Sequence, residues 1–235
     1  MRITVLHGQM HKGSTYNITR LFLDRLSDDN TDIREFFMPR DAPSFCIGCY
    51  NCFTKGESHC PHTDTVQPVV KAIEEADLLI LASPCYVLGM TGQLKTFLDH
   101  MGYRWMAHRP HPNMFGKVGL VISTAAGAGA KKVTKSLRDH LFHWGVARIY
   151  RYGKNVGALS WETVKPEMKS QIEKEANRIA IRIRKEIGRA KPRAKTKALF
   201  EIMRLSQKAN DWNPTDKEYW LASGWLDGSK PWKRR

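Results

Sequence analysis

The sequence predicts an α/β fold built on an open, doubly wound parallel sheet of five strands. Short apolar segments alternate with stretches of helical period through the first 155 or so residues, which is the spacing expected of strand–helix–strand units. One segment, residues 78–82, is apolar throughout, as is typical of a central parallel strand covered on both faces. In such sheets, ligands bind beyond the carboxyl ends of the strands, where the strand order reverses.

The strands are predicted at residues 3–6, 33–38, 78–82, 118–122 and about 147–152. Helical patterns follow at residues 18–26, 66–73, 94–101 and 133–142, each with apolar residues three or four positions apart. Asp64 or Thr65 is the predicted cap of the second of these helices. Residues 40–63 have no hydrophobic period and are rich in Pro, Gly and Cys, so we expect one long functional loop there.

From residue 159 we expect a basic, helical and aromatic-rich C-terminal extension, residues 159–235, beside a sheet domain at residues 1–158. Apolar residues recur at three- and four-residue steps from Val164 to Ile187 and form one stripe of a long helix. Beyond Pro192 and a shorter helix, the tail carries five large aromatic residues: Trp212, Tyr219, Trp220, Trp225 and Trp232. Two interpretations of these rings stay open. In the first, they fasten the tail to its own domain or to a second subunit. In the second, one of them covers the ligand-binding crevice at the strand ends or helps to select a substrate.

The 235 residues have a formal net charge of +15, with the surplus heaviest at 165–208 and 233–235. A solvated basic face is the simpler interpretation, since no nucleic-acid-binding motif accompanies the charge, although an anionic cofactor or acidic partner is also attracted. We expect no membrane span and no signal peptide, hence a cytoplasmic protein. Five cysteines in such a chain favour metal, redox or catalytic use over disulfides.

A glycine loop follows the first strand. Gly8 and Gly13 bracket four residues, and Ser14 and Thr15 open the next helix. Such a loop directs backbone N–H groups and the positive end of a helix dipole at an anion. Ser14 stands where an ATP-binding loop needs Lys, and the three-glycine dinucleotide motif is absent from the sequence. A terminal phosphate monoester fits, and an ordinary capped turn is the alternative.

Two further strand ends carry unusual loops. Ser83 and Pro84 follow the third strand, and Ser123 and Thr124 lead into a run of small residues, 125–130, after the fourth. Because the carboxyl ends of parallel strands lie at one edge, we expect all three loops to converge on one crevice. This convergence favours a bound phosphate-bearing cofactor over a simple capped turn.

Four of the five cysteines follow the pattern C-x2-C-x2-C-x7-C: Cys46, Cys49, Cys52 and Cys60. Three thiolates at two-residue gaps suit three corners of a [4Fe–4S] cubane that a more distant fourth closes. Zinc is a second alternative, with four thiolates or with three and His59 or His62, although structural zinc sites usually pair two separated C-x2-C units. A loop that holds no metal and only shapes the crevice is the third.

These motifs, together with residues 83–99, resemble the flavodoxin-like NAD(P)H-dependent FMN reductases, and within them the branch that includes the iron–sulfur flavoproteins. The resemblance covers about residues 1–155 and includes the glycine loop, the cysteine loop and the Pro84–Tyr86 loop in the family's order. It implies a flavodoxin-like fold, FMN as cofactor, NAD(P)H as co-substrate, and a homodimer or homotetramer. It also matches the cysteine spacing of a [4Fe–4S] cluster.

The resemblance implies a role for each loop. The FMN phosphate is held by the first loop: Gln9, His11, Gly13, Ser14, Thr15 and Tyr16. The isoalloxazine ring lies along the second: Pro84, Cys85, Tyr86, Val87, Leu88 and Gly89. The ring or ribityl chain is enclosed by the third: Thr124, Ala125, Ala126 and Gly127. Three residues depart from the family pattern. Gln9 stands where the family commonly has Ser, Cys85 where it commonly has an aliphatic residue, and His100 where it commonly has Arg.

The function implied is that of an FMN-dependent oxidoreductase passing electrons from NAD(P)H through flavin to a quinone, flavin or protein acceptor. The flavin carries the redox chemistry, so we assign no catalytic acid or base. The histidines interpreted as structural or solvent-facing are His7, His11, His59, His62 and His143. Two alternatives stay open: a flavodoxin-like electron carrier without a substrate, and a nucleic-acid-binding protein using the basic tail.

Overall fold

Five parallel strands form the sheet of the computed structural model, which describes residues 1–233. The strands are β1 (Arg2–His7), β2 (Asp32–Phe37), β3 (Leu78–Ala82), β4 (Val118–Ala125) and β5 (Arg148–Asn155). Their order is β2-β1-β3-β4-β5, which is the flavodoxin-like order and reverses between β1 and β3. The predicted doubly wound, five-stranded parallel sheet is therefore confirmed.

Helices of the described residues connect and follow these strands. They are α1 (Ser14–Leu26), α2 (Asn51–Thr54), α3 (Thr63–Glu75), α4 (Gly92–Asp99), α5 (Ala130–His143), α6 (Pro166–Glu186), α7 (Ala194–Lys208) and α8 (Pro214–Ala222). Within residues 1–233, no helix combines the length and apolar character needed to cross a bilayer. Arg234 and Arg235, part of the predicted basic surplus, lie outside the described residues.

The helices cover both faces of the sheet. On one face, Phe22 of α1 and Ile172 of α6 share a buried cluster with Ile80 of β3. On the other, α3, α4 and α5 bury their apolar faces against the alternate residues of the strands, including Leu79 and Leu81. Every residue of β3 is buried as a result, which explains its unbroken apolar sequence.

The apolar stripe predicted for the long C-terminal helix lies against the sheet domain. Ile172, Ala176, Ala180 and Ile183 of α6 are buried in the same cluster as α1. This helix therefore completes one helical layer of the fold, although it lies beyond residue 158. The division of the chain at residues 158 and 159 stays a prediction.

The last two helices enclose a third buried cluster. Phe200 of α7, Trp220 of α8 and Trp225 pack on Met106 and Phe115, with Phe115 only three residues before the start of β4. These rings fasten the tail to its own chain at the amino end of the sheet, as the first of the two interpretations predicts. They lie at the opposite end of β4 from the crevice. Trp212 differs from them, because it is 76% exposed.

Three local expectations are wrong. The fourth strand extends beyond Ile122 to Ala125, because its backbone pairs with an equally long β5 up to Asn155. Helix α3 starts at Thr63 with His62 as the cap residue, and Thr65 donates its hydroxyl proton to the His62 carbonyl. The expected loop at 40–63 contains α2 and a 3₁₀ turn at Glu57–His59, because single turns are too short to show a hydrophobic period.

Candidate functional site

The first and second loops are joined at the carboxyl edge of the sheet, directly beyond β1 and β3. The Gly8 N–H donates to the Ala82 carbonyl at 2.6 Å, and the Thr91 hydroxyl donates to the Gly8 carbonyl at 2.5 Å. A Cβ on Gly8 would lie 2.7 Å from the Thr91 Oγ1. Glycine is therefore required at this position because two backbone segments meet there.

The third loop joins the other two through Thr124. The Thr124 hydroxyl lies 2.7 Å from the buried Thr15 hydroxyl at the start of α1. The Cys85 N–H of the second loop donates to the Thr124 carbonyl at 2.8 Å. All three loops thus meet at one residue, which confirms that they converge at one edge of the sheet.

The first loop presents the open amino end of α1. Gly13 is the cap residue, and within residues 1–233 no side chain accepts a hydrogen bond at this cap. The N–H groups of the first helical turn are consequently available to a ligand. The Asn17 side chain braces the loop by donating to the Lys12 and Gly13 carbonyls at 3.1 and 3.0 Å.

The other predicted phosphate-binding residues surround that helix end. Gln9 and His11 exchange two hydrogen bonds, His11 N–H to Gln9 Oε1 at 2.9 Å and Gln9 Nε2 to the His11 carbonyl at 3.2 Å. His11 is exposed, whereas Ser14 and Tyr16 are half-buried. The structure therefore brings all six predicted residues of the first loop together around the start of α1.

A hydrogen bond between His7 and Glu35 supports this loop at the end of β1. His7, the last residue of β1, is buried, and its Nε2 lies 2.7 Å from Glu35 Oε2. The hydrogen bond from His7, with the nearby Arg20 charge, lowers the pKa of Glu35. Phe37 stacks on the His7 ring at 4.2 Å. His7 has a structural role in this arrangement, as the sequence interpretation expects.

The second loop is a strained hairpin with an apolar tip. Tyr86 and Gly89 exchange two backbone hydrogen bonds of 2.9 Å. Between them, Val87 and Leu88 have φ values of +48° and +58°, a conformation that a β-branched residue rarely adopts. Tyr86, Val87 and Leu88 are all exposed. Strain and solvent-exposed apolar surface in one turn indicate a contact with a ligand or another molecule.

The third loop is only partly a loop. Thr124 and Ala125 are buried at the end of β4, whereas Ala126 and Gly127 are exposed beyond it. Cys85 lies beside this segment, with its thiol 3.6 Å from the Ala128 carbonyl. It packs against the apolar cluster of the second face, as expected of a small thiol in an aliphatic position.

The four cysteines of the cysteine loop line one cavity of about 150 Å³, together with His62 and His100. Cys46 and Cys49 are exposed and Cys52 and Cys60 half-buried. Burial, and then the neighbouring Cys60 and Cys46 thiols, raise the pKa of Cys52 to about 11. The thiols are thus close enough for each to disfavour the thiolate form of its neighbours.

Within residues 1–233, no three His, Cys, Asp or Glu side chains converge closely enough to hold one ion. A cubane cluster does not need such convergence, because its four cysteine ligands bind four different irons. The four cysteine thiols at this cavity are the donor type that a [4Fe–4S] cluster uses.

Sequence reasoning missed residues that fix these loops. Thr91 caps α4 and binds Gly8, and a Thr directly before a helical pattern is a signal that could have identified it. Arg109 donates to the Cys52 carbonyl and pairs with buried Asp216 of α8. No sequence signal links Arg109 and Asp216, since they are 107 positions apart.

Comparison with known proteins agrees with the motifs. Residues 1–155 match the family described as NADPH-dependent FMN reductase. An iron-sulfur flavoprotein of Archaeoglobus fulgidus is 27% identical over 168 residues, 71% of this chain and 73% of that protein. An iron-sulfur flavoprotein of Methanocaldococcus jannaschii is 26% identical over 165 residues, covering 68% of this chain and 82% of that protein.

A solved structure shows the same fold. It is that of an FMN-dependent NADH-azoreductase from Bacillus anthracis in complex with FMN, with a TM-score of 0.56 and 12% identity, covering 77% of this chain and 100% of that one. That likeness concerns the fold, whereas the sequence match over residues 1–155 establishes the family. The chain belongs to the NADPH-dependent FMN reductase family, in the branch that resembles the iron–sulfur flavoproteins.

Proposed function

We propose that this protein is an FMN-dependent NAD(P)H oxidoreductase that passes electrons to a quinone, flavin or protein acceptor. The observation that carries the proposal is the junction of three loops at Thr124, beside the open end of α1. Membership of the NADPH-dependent FMN reductase family supports FMN as that ligand. The bound flavin would supply the hydride and electron chemistry.

The first loop would bind the FMN phosphate. The N–H groups of the first turn of α1 and the Ser14 hydroxyl are hydrogen-bond donors, and the helix dipole favours a dianion there. Gly13 keeps the approach open, because a Cβ at this position would crowd the His11 ring at 2.8 Å. Thr15 would orient the loop rather than reach the phosphate, since its hydroxyl is already bonded to Thr124.

The hairpin at 86–89 would support the isoalloxazine ring. Its exposed Tyr86, Val87 and Leu88 side chains offer apolar surface, and backbone N–H groups of the loop would stabilise negative charge on the ring. The ribityl side would lie against Ala126 and Gly127, which are exposed and small. The nicotinamide would stack on the face that the hairpin leaves open.

The cysteine loop would hold a [4Fe–4S] cluster through Cys46, Cys49, Cys52 and Cys60. The cavity lined by all four thiols supports this assignment, and two relatives, 27% and 26% identical to this chain, are named iron-sulfur flavoproteins. Such a cluster accepts and releases one electron at a time, so it would divide the electron pair delivered by a nicotinamide.

The chain would work as a homodimer or homotetramer in the cytoplasm. The exposed apolar tip of the hairpin, with Val87 fully exposed, supports association, since such a tip is costly to leave in water. Five free cysteines support a reducing compartment. Light scattering of the FMN-loaded protein measures the oligomeric state directly.

The decisive experiment combines spectroscopy with one charge substitution. Anaerobically purified protein should show flavin absorption, contain iron and sulfide, and oxidise NAD(P)H with a quinone acceptor. S14D places a negative charge in the first turn of α1, which favours the helix dipole but repels a phosphate. FMN affinity should therefore fall by about tenfold or more without loss of stability.

The matched control is S170D, at an exposed position of α6, which should bind FMN as the wild type does. A colourless folded protein that takes up no FMN would contradict the proposal. A protein that binds FMN but oxidises no NAD(P)H with any acceptor would instead indicate the electron-carrier alternative.

A further inference from the structure

Helix α8 of the C-terminal extension contacts the cysteine loop through a buried ion pair. Asp216 is 0% exposed and Arg109 is 3% exposed, and the Arg109 guanidinium donates to Asp216 Oδ1. The other Asp216 oxygen lies 2.6 Å from His108 Nδ1 and accepts from Asn213 Nδ2 at 2.8 Å. Asp216 thus holds Arg109 in one orientation.

Arg109 extends this network into the cysteine loop. Its Nη2 donates to the Cys52 carbonyl and its Nη1 to the Phe53 carbonyl, the latter at 3.3 Å. Glu57, later in the same loop, lies 3.4 Å from Nη2. One guanidinium therefore connects the buried carboxylate of α8 to the backbone that carries Cys52.

A second contact reaches the next carbonyl. The Thr215 hydroxyl, adjacent to Asp216 in α8, donates to the Thr54 carbonyl at 2.8 Å. The Phe53 ring meets the His108 ring edge-on at 4.7 Å. Residues of α8 and of the segment 108–109 therefore contact α2 on one side.

The helix that these contacts hold is too short to be stable alone. Helix α2 has four residues, Asn51–Thr54, and the last four carbonyls of any helix lack intrahelical partners. The Asn51 carbonyl accepts from the Lys55 N–H. The remaining three carbonyls are those of Cys52, Phe53 and Thr54. Arg109 donates hydrogen bonds to the first two, and Thr215 donates one to the third.

From this arrangement we infer that Asp216 is a positioning residue of the cysteine loop, acting through Arg109 to hold α2 and with it Cys52. The C-terminal extension is then part of the metal-binding unit, a consequence that rests on the proposed cluster. The clamp itself, meaning the contacts that run from Asp216 through Arg109 to α2, does not rest on the cluster, because protein groups alone form it. Loss of the carboxylate would remove the fully buried counter-ion of Arg109, leave only the more exposed Glu57 beside it, and release the loop.

Hydrogen exchange of the full-length, metal-free, reduced protein tests the clamp without any cofactor. D216N should accelerate amide exchange in residues 50–60 by about tenfold or more while leaving β1, β3 and β4 unchanged, because local opening does not require global unfolding. T215V removes only the Thr54 contact and should accelerate the same segment by about threefold. D211N, at an exposed ion pair with Lys217 in the same extension, should match the wild type.

Two exchange results would overturn the inference. One is D216N and T215V with wild-type exchange in residues 50–60. The other is acceleration in the sheet strands equal to that in the loop, which would make Asp216 a general stability residue. T215V changes no charge, so it still tests whether contacts from α8 hold α2 if D216N folds poorly, and the chelator experiment below then tests Asp216 in the reconstituted protein.

Cluster retention tests the consequence for metal binding. After anaerobic reconstitution with iron and sulfide, D216N should lose iron to an excess of ferrous chelator about ten times faster than the wild type or D211N, because a mobile loop exposes its ligands more often. Equal rates would overturn the positioning role. Wild-type protein that takes up no iron would contradict the proposed cluster. In that case, the hydrogen-exchange result alone would decide whether Asp216 positions the cysteine loop.

Discussion

The hydroxyls of Thr15 and Thr124 lie 2.7 Å apart in the buried junction between the first helix and the fourth strand. T124V keeps the side-chain shape but leaves the Thr15 hydroxyl buried without its partner, which should cost about 1–3 kcal/mol. T15V/T124V removes both groups and should recover most of that loss. Urea unfolding of both single variants and of the double variant measures the coupling, and additive losses would contradict it.

Gly8 should tolerate no side chain. In G8A the new Cβ would meet Thr91 Oγ1 at 2.7 Å and the Ala82 carbonyl oxygen at 3.1 Å. Backbone atoms cannot yield cheaply, so we expect a loss of about 1–3 kcal/mol in the free energy of unfolding. G116A is the control, because a Cβ there would have open space. Equal stability of the two variants would show that the first two loops do not meet as described.

The hairpin tip at Val87 and Leu88 combines backbone strain with the apolar surface that we propose contacts the FMN ring. An Asn-Gly turn suits positive φ values, so V87N/L88G should relieve strain and raise the free energy of unfolding of the FMN-free protein by about 1 kcal/mol. The same change removes the apolar surface of the tip and should weaken FMN binding. Chemical unfolding and FMN titration measure the two effects. Unchanged FMN affinity would argue that the tip does not contact the ring.

The hydrogen bond between His7 and Glu35 beside the first loop should make the stability depend on pH. The folded-state pKa of Glu35 is lowered, first by the His7 hydrogen bond, so its contribution is complete above the ordinary carboxyl pKa and is lost as pH falls through the lowered value. E35Q should therefore be less stable than the wild type by about 1 kcal/mol at neutral pH. The difference should shrink between about pH 5 and pH 3.

Urea unfolding at several pH values provides the measurement for Glu35. E218Q, at an exposed position of α8, should show no such dependence. A difference between E35Q and wild type that grows on acidification would reverse the sign of the assigned interaction.

Helix α6 should behave as part of the sheet domain in spite of its position beyond residue 158. Ile172 is fully buried against α1, so I172A should cost about 2–5 kcal/mol. Ile202 of α7 is 57% exposed, and I202A should change the free energy of unfolding by less than about 0.5 kcal/mol. Thermal unfolding followed by far-UV circular dichroism distinguishes them. A separate transition affected only by I172A would instead support a boundary at residue 158.

Local sequence patterns were sufficient to predict most of the strands and helices and the edge of the sheet where the three loops meet. The apolar run at 78–82 is typical of a covered parallel strand, and the spacing of Gly8, Gly13 and Ser14 favours an anion-binding turn, with an ordinary capped turn as the alternative. The limits of β4 were misjudged because its last three residues depend on pairing with β5. Helix α2 was missed because its stability comes from contacts outside it.

Neighbouring residues are enough to predict the class of sheet, the three loops at its carboxyl edge and the four-cysteine spacing, since each of these depends on a local pattern. The tertiary structure decided which of those parts touch. Thr15 meets Thr124 across 109 positions, and Arg109 meets Asp216 across 107. No local rule relates residues so far apart, because their contact is set by how α1, β4 and α8 pack and by the low exposure that makes each polar group require a partner.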